Sequence, residues 1–332
     1  MTLRDQVIIN SRITFNMYTV MKTKDAYSEV SLSKTSKLDN NTDLLQRLLF
    51  KVAKKWVSGN TYKNALSTAQ DCNSKGVSAI LNFLGEDTTS STIIENTVKE
   101  YFSLLNLLES NTINGCISVK PTQIGLRIDY DNCLHNFRQI AREAKSLDRF
   151  MWIDIESFPF VEDTIAIYLE LLRDYKQSIG VAIQSYLKRS SSDLLHLMEQ
   201  GANVRLVKGA YRGDKSIAFQ SVEKINSNFS KLMNTLFEYS NTNDRIFAIA
   251  THDPKLIDEA ILLSKKYGID NRKFEFQLLM GIHNEMKVNL LKRGFRVSEY
   301  IPYGDQWLPY SIRRIRERKR NILLLARSFL ES

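Results

Sequence analysis

The chain has 332 residues, 43% of them hydrophobic and 25% charged, a globular composition long enough for one large barrel or two domains. Its formal net charge of +9 suits an anionic partner, a membrane surface or a nucleic acid. Three cysteines (Cys72, Cys116, Cys133) without a CxxC spacing argue against a metal site and a disulfide framework, and no apolar run approaches the roughly 18 residues of a membrane span.

Residues 1–40 are polar and rich in Ser, Thr, Lys and Asn, with no apolar signal-peptide core, so a reducing, cytoplasmic setting is expected. Leu44, Leu45, Leu48, Leu49, Val52, Ala53 and Trp56 give 42–57 the spacing of an amphipathic helix, and a second follows over 62–74. A rhythm then begins. Short apolar runs at 77–84, 116–120, 150–156, 179–186, 203–211, 245–252, 274–281 and 297–304 alternate with helical stretches at 92–108, 132–146, 161–175, 191–200, 214–239, 254–267, 284–292 and the terminal segment. Eight strands each followed by a helix is the count of a (β/α)8 TIM-type barrel, an α/β fold, here preceded by N-terminal helices. The expected division is a tail with helices over 1–75 and a barrel over 76–332. An open doubly wound sheet is the alternative.

Several strands end in polar residues where an apolar core would cost less. Lys120 ends the second, Asp154 and Glu156 the third, Gln184 the fourth, Arg205 and Lys208 stand in the fifth, Thr251 and His252 end the sixth, and Tyr300 lies in the eighth. Each has an ordinary explanation: a snorkelling lysine, a loop histidine, a buried amide, packing tyrosines, a carboxylate that only neutralises Lys120 or Arg205. Arg205 is hardest to dismiss, because inside an apolar strand it needs an acceptor. Together these residues line one mouth, where a barrel of this kind places its chemistry.

The stretch 300–318 reads as a strand end, a turn at Pro302 and Gly304, and a helix opened by Pro309. Leu308, Ile312, Ile315, Ile322, Ala326 and Phe329 share a packing face. Arg313, Arg314, Glu317 and Arg318 share another arc, about 140° wide. Adjacent guanidinium groups there can grip a carboxylate. The same residues also suit a solvated helix face or, with six basic residues in 313–320, a nucleic-acid patch. The polar strand ends weigh toward the carboxylate. No GxGxxG follows a strand, the P-loop-like 209–216 has Asp214 where glycine is required, and no HExxH occurs, so a Rossmann site and zinc are disfavoured.

In order along 80–330 stand Ser118-Val-Lys-Pro-Thr, Ile153-Asp-Ile-Glu, Ile183-Gln-Ser-Tyr-Leu-Lys-Arg189, Arg205-Leu-Val-Lys-Gly-Ala-Tyr211, Ala250-Thr-His, Phe274-Glu-Phe-Gln-Leu-Leu-Met-Gly281 and Tyr300-Ile-Pro-Tyr-Gly with Arg313-Arg-Ile-Arg-Glu317-Arg. This ordered set resembles the catalytic barrel of the proline dehydrogenase family. Residues 53–59 and 76–86 are similar to its monofunctional bacterial or archaeal members. The resemblance implies FAD at the barrel mouth, hydride transfer from L-proline C5 to flavin N5 giving Δ1-pyrroline-5-carboxylate, and a membrane quinone as electron acceptor. It also implies functional coupling to a separate pyrroline-5-carboxylate dehydrogenase. By resemblance Asp154 and Arg205 are catalytic, and Lys120, Tyr211, Leu279, Tyr300, Arg313, Arg314 and Glu317 surround the substrate. Ile155, Gln184, Arg205, Val207, Lys208, Gly209, Thr251 and His252 hold the cofactor. A tyrosine at 300 implies L-proline over trans-4-hydroxyproline. Met280 stands where other members often carry a different residue.

No metal is expected, nor any nucleic-acid partner. The basic excess suits peripheral docking on an anionic membrane. The other enzymatic reading is a flavin barrel acting on another cyclic amino acid.

Overall fold

The computed structural model describes residues 53–211, 213–240 and 246–316. One compact unit is Ala53–Arg313. A second comprises Met1–Val52 and Arg314–Ser332, of which only 314–316 are among the described residues. Most of the expected helix 42–57 therefore lies outside them.

In the first unit, eight strands close into a barrel in chain order, each parallel to its neighbours. They are β1 (Ser78–Phe83), β2 (Gly115–Val119), β3 (Met151–Ile153), β4 (Ile179–Gln184), β5 (Val204–Val207), β6 (Phe247–Ala250), β7 (Phe274–Leu279) and β8 (Arg296–Tyr303). Helix α1 (Tyr62–Ser74) precedes β1. The others follow the strands in turn: α2 (Ser91–Ser110), α3 (Tyr130–Ser146), α4 (Val161–Tyr175), α5 (Ser190–Glu199), α6 (Val222–Ser240), α7 (Pro254–Lys266), α8 (Asn284–Lys292) and α9 (Trp307–Arg316). The (β/α)8 expectation holds.

Local chemistry sets the helix starts. Asp129 caps α3 by accepting from Asn132 N at 2.6 Å, and Asp253 caps α7 ahead of Pro254, whose missing N–H is harmless at the first position. In α2 the buried residues Ile94, Val98, Tyr101, Leu104, Leu105 and Leu108 recur every three or four positions and face the strands. Among the described residues a large and a small apolar core result. The large one lies between strands and helices. A small one fills the barrel itself around Ile80, Trp152 and Ala248, with Cys116, Phe150 and Tyr300 against it.

Pairing register decides what faces inward. Ile80 pairs with Cys116 and with Tyr300, Ser118 with Trp152, Trp152 with Gly180, Ala182 with Arg205, and Arg205 with Ala248. Because strand side chains alternate, this row and the positions two residues beyond it all enter the barrel. Lys120, Asp154, Gln184 and Arg205 belong to that inward set.

Several strands stop short of the sequence expectation, the fourth at Gln184, the sixth at Ala250 and the seventh at Leu279, and three further segments differ more. The third strand stops at Ile153 and the fifth at Val207, because Asp154 and Lys208 begin the loops of the mouth. The helix expected from 214 begins at Val222. Residues 214–220 are held instead as a cover: Asp214 turns back to accept from Ser216 N at 2.8 Å, Leu187 bridges Ala218, and Phe219 N donates to Tyr186 O at 2.8 Å.

Candidate active site

Asp154 is the hub. Its Oδ1 accepts from Ser118 Oγ at 2.7 Å and from Arg205 Nη1 at 2.8 Å. Its Oδ2 accepts from Lys120 Nζ at 2.8 Å and from Tyr300 OH at 2.7 Å. Arg205 Nη1 also donates to Ser118 Oγ at 3.0 Å, and Lys120 Nζ to Tyr300 OH at 3.4 Å. Four strands thus meet on one carboxylate. Burial alone would raise the Asp154 carboxyl, yet Lys120 and Arg205 hold it down to about 2. Burial likewise opposes the charge on Lys120, but Asp154 and then Glu86 raise the ammonium above the ordinary lysine range. Burial and the neighbouring Asp154 push the Tyr300 hydroxyl well up, so it stays a donor. A carboxylate saturated by four donors is built as a counter-charge and an anchor, not as a proton acceptor.

Arg205 lies 3% exposed. Its Cζ sits 4.6 Å over the Trp152 ring centroid and 5.8 Å from that of Tyr300. Its Nε and Nη2 are buried and meet no hydrogen-bond acceptor among the described residues. A cation with three of its five N–H donors unspent in a buried place is costly, and such an arrangement marks a position where another molecule supplies acceptors.

A second carboxylate supports the first. Glu156 accepts from Thr122 N on Oε2 and from Thr122 Oγ1 on Oε1, each at 2.8 Å, fixing the turn Pro121–Gln123 that follows Lys120. Burial and then Glu86 raise its pKa to about 8. Tyr101 OH lies 3.0 Å from both Ser118 O and Gln123 Oε1, its single proton shared between the two acceptors, beside the same turn. Tyr211 OH donates to Glu86 Oε1 at 3.4 Å.

The arc from β4 to β7 carries the expected cofactor residues. Gln184 Nε2 donates to Ile155 O at 3.1 Å, while its buried Oε1 has no donor among the described residues. Ser185 N and Tyr186 N donate to the carbonyls of Val207 and Lys208. Lys208 pairs with Asp253 at 2.9 Å, and Asp253 N donates to Thr251 Oγ1 at 3.2 Å. Leu279 N donates to His252 Nε2 at 3.0 Å, so the neutral ring carries its proton on Nδ1. Gly209 has φ +98°, and a Cβ there would lie 2.8 Å from Tyr186 Cε1. Only glycine fits that bend.

Lys120, Asp154, Arg205 and Tyr300 are therefore in one network, while Gln184, Val207, Lys208, Gly209, Thr251, His252 and Leu279 stand at or just beyond the ends of β4 to β7. Arg313 and Arg314 fall on α9, the helix after β8. The Arg313 side chain and all of Glu317 lie outside the described residues. Ser118, Trp152, Gly180 and Thr122 were not singled out in sequence. Ser118 was open to discovery, since it precedes Lys120 by two and shares its inward parity. Among the described residues no group of three or more His, Cys, Asp or Glu is arranged to hold a metal ion.

The proline dehydrogenase family model matches residues 65–325. Proline dehydrogenase 2 of Bacillus subtilis is 32% identical over 270 residues, which cover 81% of this chain and 88% of that protein. Proline dehydrogenase of Deinococcus radiodurans is 28% identical over 292 residues, 87% and 93% of the two chains. Among solved structures, proline utilization A from Bdellovibrio bacteriovorus superposes with a TM-score of 0.76 at 22% identity, over 82% of this chain and 33% of that one. This chain thus spans about a third of that larger protein, and the likeness is one of fold. With barrel, inward charges and matching relatives in agreement, the chain belongs to the proline dehydrogenase family.

Proposed function

We propose that this chain oxidises L-proline to Δ1-pyrroline-5-carboxylate with FAD held in the barrel mouth. The observation that supports this most strongly is Arg205, a buried guanidinium fixed by Asp154 through one nitrogen, with Nε and Nη2 left for acceptors that no described residue supplies. The cofactor residues fit a flat polar group on the same grounds: Gln184 Oε1 is buried without a donor, and Gly209 keeps the backbone free of a side chain where Tyr186 packs. When bound, FAD supplies the acceptor, at N5, for the hydride leaving proline C5, which no protein side chain can provide.

The chain's own residues then position and stabilise. Arg205 places positive charge where negative charge develops on the cofactor ring. Lys120, kept protonated by Asp154, is a fixed cation for the substrate carboxylate, and Arg313 and Arg314 are the proposed clamp on it, with Glu317 as their partner. Tyr211, Leu279 and Tyr300 bound the proline ring. Tyr300 is tethered through its hydroxyl to Asp154, so its ring has little freedom to make room for a 4-hydroxyl. Holding the ring in one pose converts binding into rate.

Electrons leave by a quinone in this reading, with a separate dehydrogenase consuming the product. Among the described residues no helix is long and apolar enough to cross a membrane. Contact with a quinone pool is then by peripheral docking of a cytoplasmic protein on anionic lipid. The test is turnover with L-proline and a quinone analogue, the imine product trapped as a coloured adduct. L-Proline should exceed trans-4-hydroxyproline clearly. Equal rates, or turnover of another cyclic amino acid only, would overturn the substrate assignment.

A further inference from the structure

The interior of a barrel this small is normally filled by branched aliphatic residues. Here its middle is occupied by one indole. Trp152 is 1% exposed and among the largest fully buried side chains. The register places it opposite Gly180 on β4, and a Cβ on Gly180 would lie 2.7 Å from Trp152 Cε3. The glycine is what lets the ring lie across the barrel floor, with Phe150 tilted against it at 4.9 Å between centroids. Ala182 and Ala248, paired with Arg205 on either side, keep the space above the ring open for the guanidinium.

We propose that Trp152 is a positioning residue for Arg205, acting through the face of its indole. Asp154 and Ser118 hold Nη1 only, which fixes one corner of the guanidinium and leaves its plane to turn. The ring 4.6 Å beneath Cζ supplies the second constraint, because an indole face is the strongest aromatic seat for a cation and favours a defined stacking plane. Trp152 thereby decides which way Nε and Nη2 present their hydrogens. The stacking stands by itself. Its consequence for electron transfer rests on the flavin reading above.

The series Trp152→Phe and Trp152→Leu separates this from simple packing. Both replacements are apolar and comparable in bulk, but only Phe keeps a π face. In protein stripped of flavin, the Arg205 Nε–H resonance should lie furthest upfield in the parent, less so in Trp152→Phe, and least in Trp152→Leu, where only the more distant Tyr300 ring remains. In flavin-loaded protein, the midpoint potential should move negative in the same order, with KM for L-proline unchanged, since Trp152 makes no carboxylate contact. An unshifted resonance in the parent protein would overturn the stacking. Equal potentials in parent, Phe and Leu forms would overturn the positioning role. A shifted resonance in a protein that takes up no flavin would count against the flavin reading and leave the Trp152 assignment standing. Because Phe preserves the fold's volume best, its potential decides the matter even where Leu fails to fold.

Discussion

Glu156 holds Thr122 twice, taking its backbone N–H on one oxygen and its hydroxyl on the other, each at 2.8 Å. Thr122 in turn accepts from Asp87 N on its hydroxyl at 2.9 Å and from Thr88 N on its carbonyl at 3.1 Å. One buried carboxyl therefore ties the turn behind Lys120 to the loop that carries Glu86. Burial and Glu86 raise the Glu156 pKa from 4.5 to about 8. A raised carboxyl binds its proton more tightly in the folded state, so folding loses stability as pH rises from about 4.5 to about 8. Glu156→Gln cannot ionise and keeps one donor and one acceptor for Thr122. Denaturant melts should find it close to the parent at pH 5 and more stable at pH 9. A parent that gains on the variant between those pH values would contradict this.

Asp154 behaves in the opposite sense. Its pKa is lowered from 3.8 to about 2, so its contribution is present above pH 4 and disappears as pH falls through 2. The shift corresponds to roughly 2 kcal/mol. Asp154→Ala leaves Lys120 and Arg205 as buried like charges, and should cost about 3–5 kcal/mol at neutral pH. Asp154→Asn should cost less. Denaturant titration of the three proteins checks the order, and a near-neutral Asp154→Ala would refute the hub.

Gly209 is a tight backbone constraint among the proposed cofactor residues, with φ +98° and Tyr186 against the missing Cβ. Gly209→Ala should destabilise by about 1–2 kcal/mol and lower flavin retention. Absorbance of the purified variant reads the latter. Full retention with parental stability would show the bend to be dispensable.

The proposed carboxylate clamp predicts a kinetic split. Arg313→Met removes a charge-assisted bond worth about 2–3 kcal/mol, so KM for L-proline should rise roughly 30- to 160-fold with a smaller change in kcat. Steady-state kinetics suffices. An unchanged KM would remove Arg313 from the clamp.

Sequence made the charged part of the site legible. Arg205 stands in a strand and Lys120 and Asp154 directly follow strand ends, buried places where an unpaired charge is expensive, so their presence implied partners, and alternation put them on one side. The inward parity of Trp152 was open to the same reasoning, since it precedes Asp154 by two. Its seat opposite Gly180 was not legible, because cross-strand neighbours depend on the register, which places Trp152 between Ser118 and Gly180. The start of α6 was misplaced because Ile217 and Ala218 continue its apolar spacing, whereas the segment is held as a cover by Lys188 N donating to Ile217 O and Phe219 N donating to Tyr186 O. That pairing joins parts of the chain some thirty residues apart, beyond the reach of local periodicity.

The most direct test is the absorption spectrum of the purified protein between 300 and 550 nm, before and after L-proline is added without oxygen. Flavin bands that bleach on addition would establish cofactor, substrate and electron acceptance together, as proposed. Flavin bands that persist, or no flavin uptake at all, would contradict the assignment of Arg205 and its neighbours to the oxidation of proline.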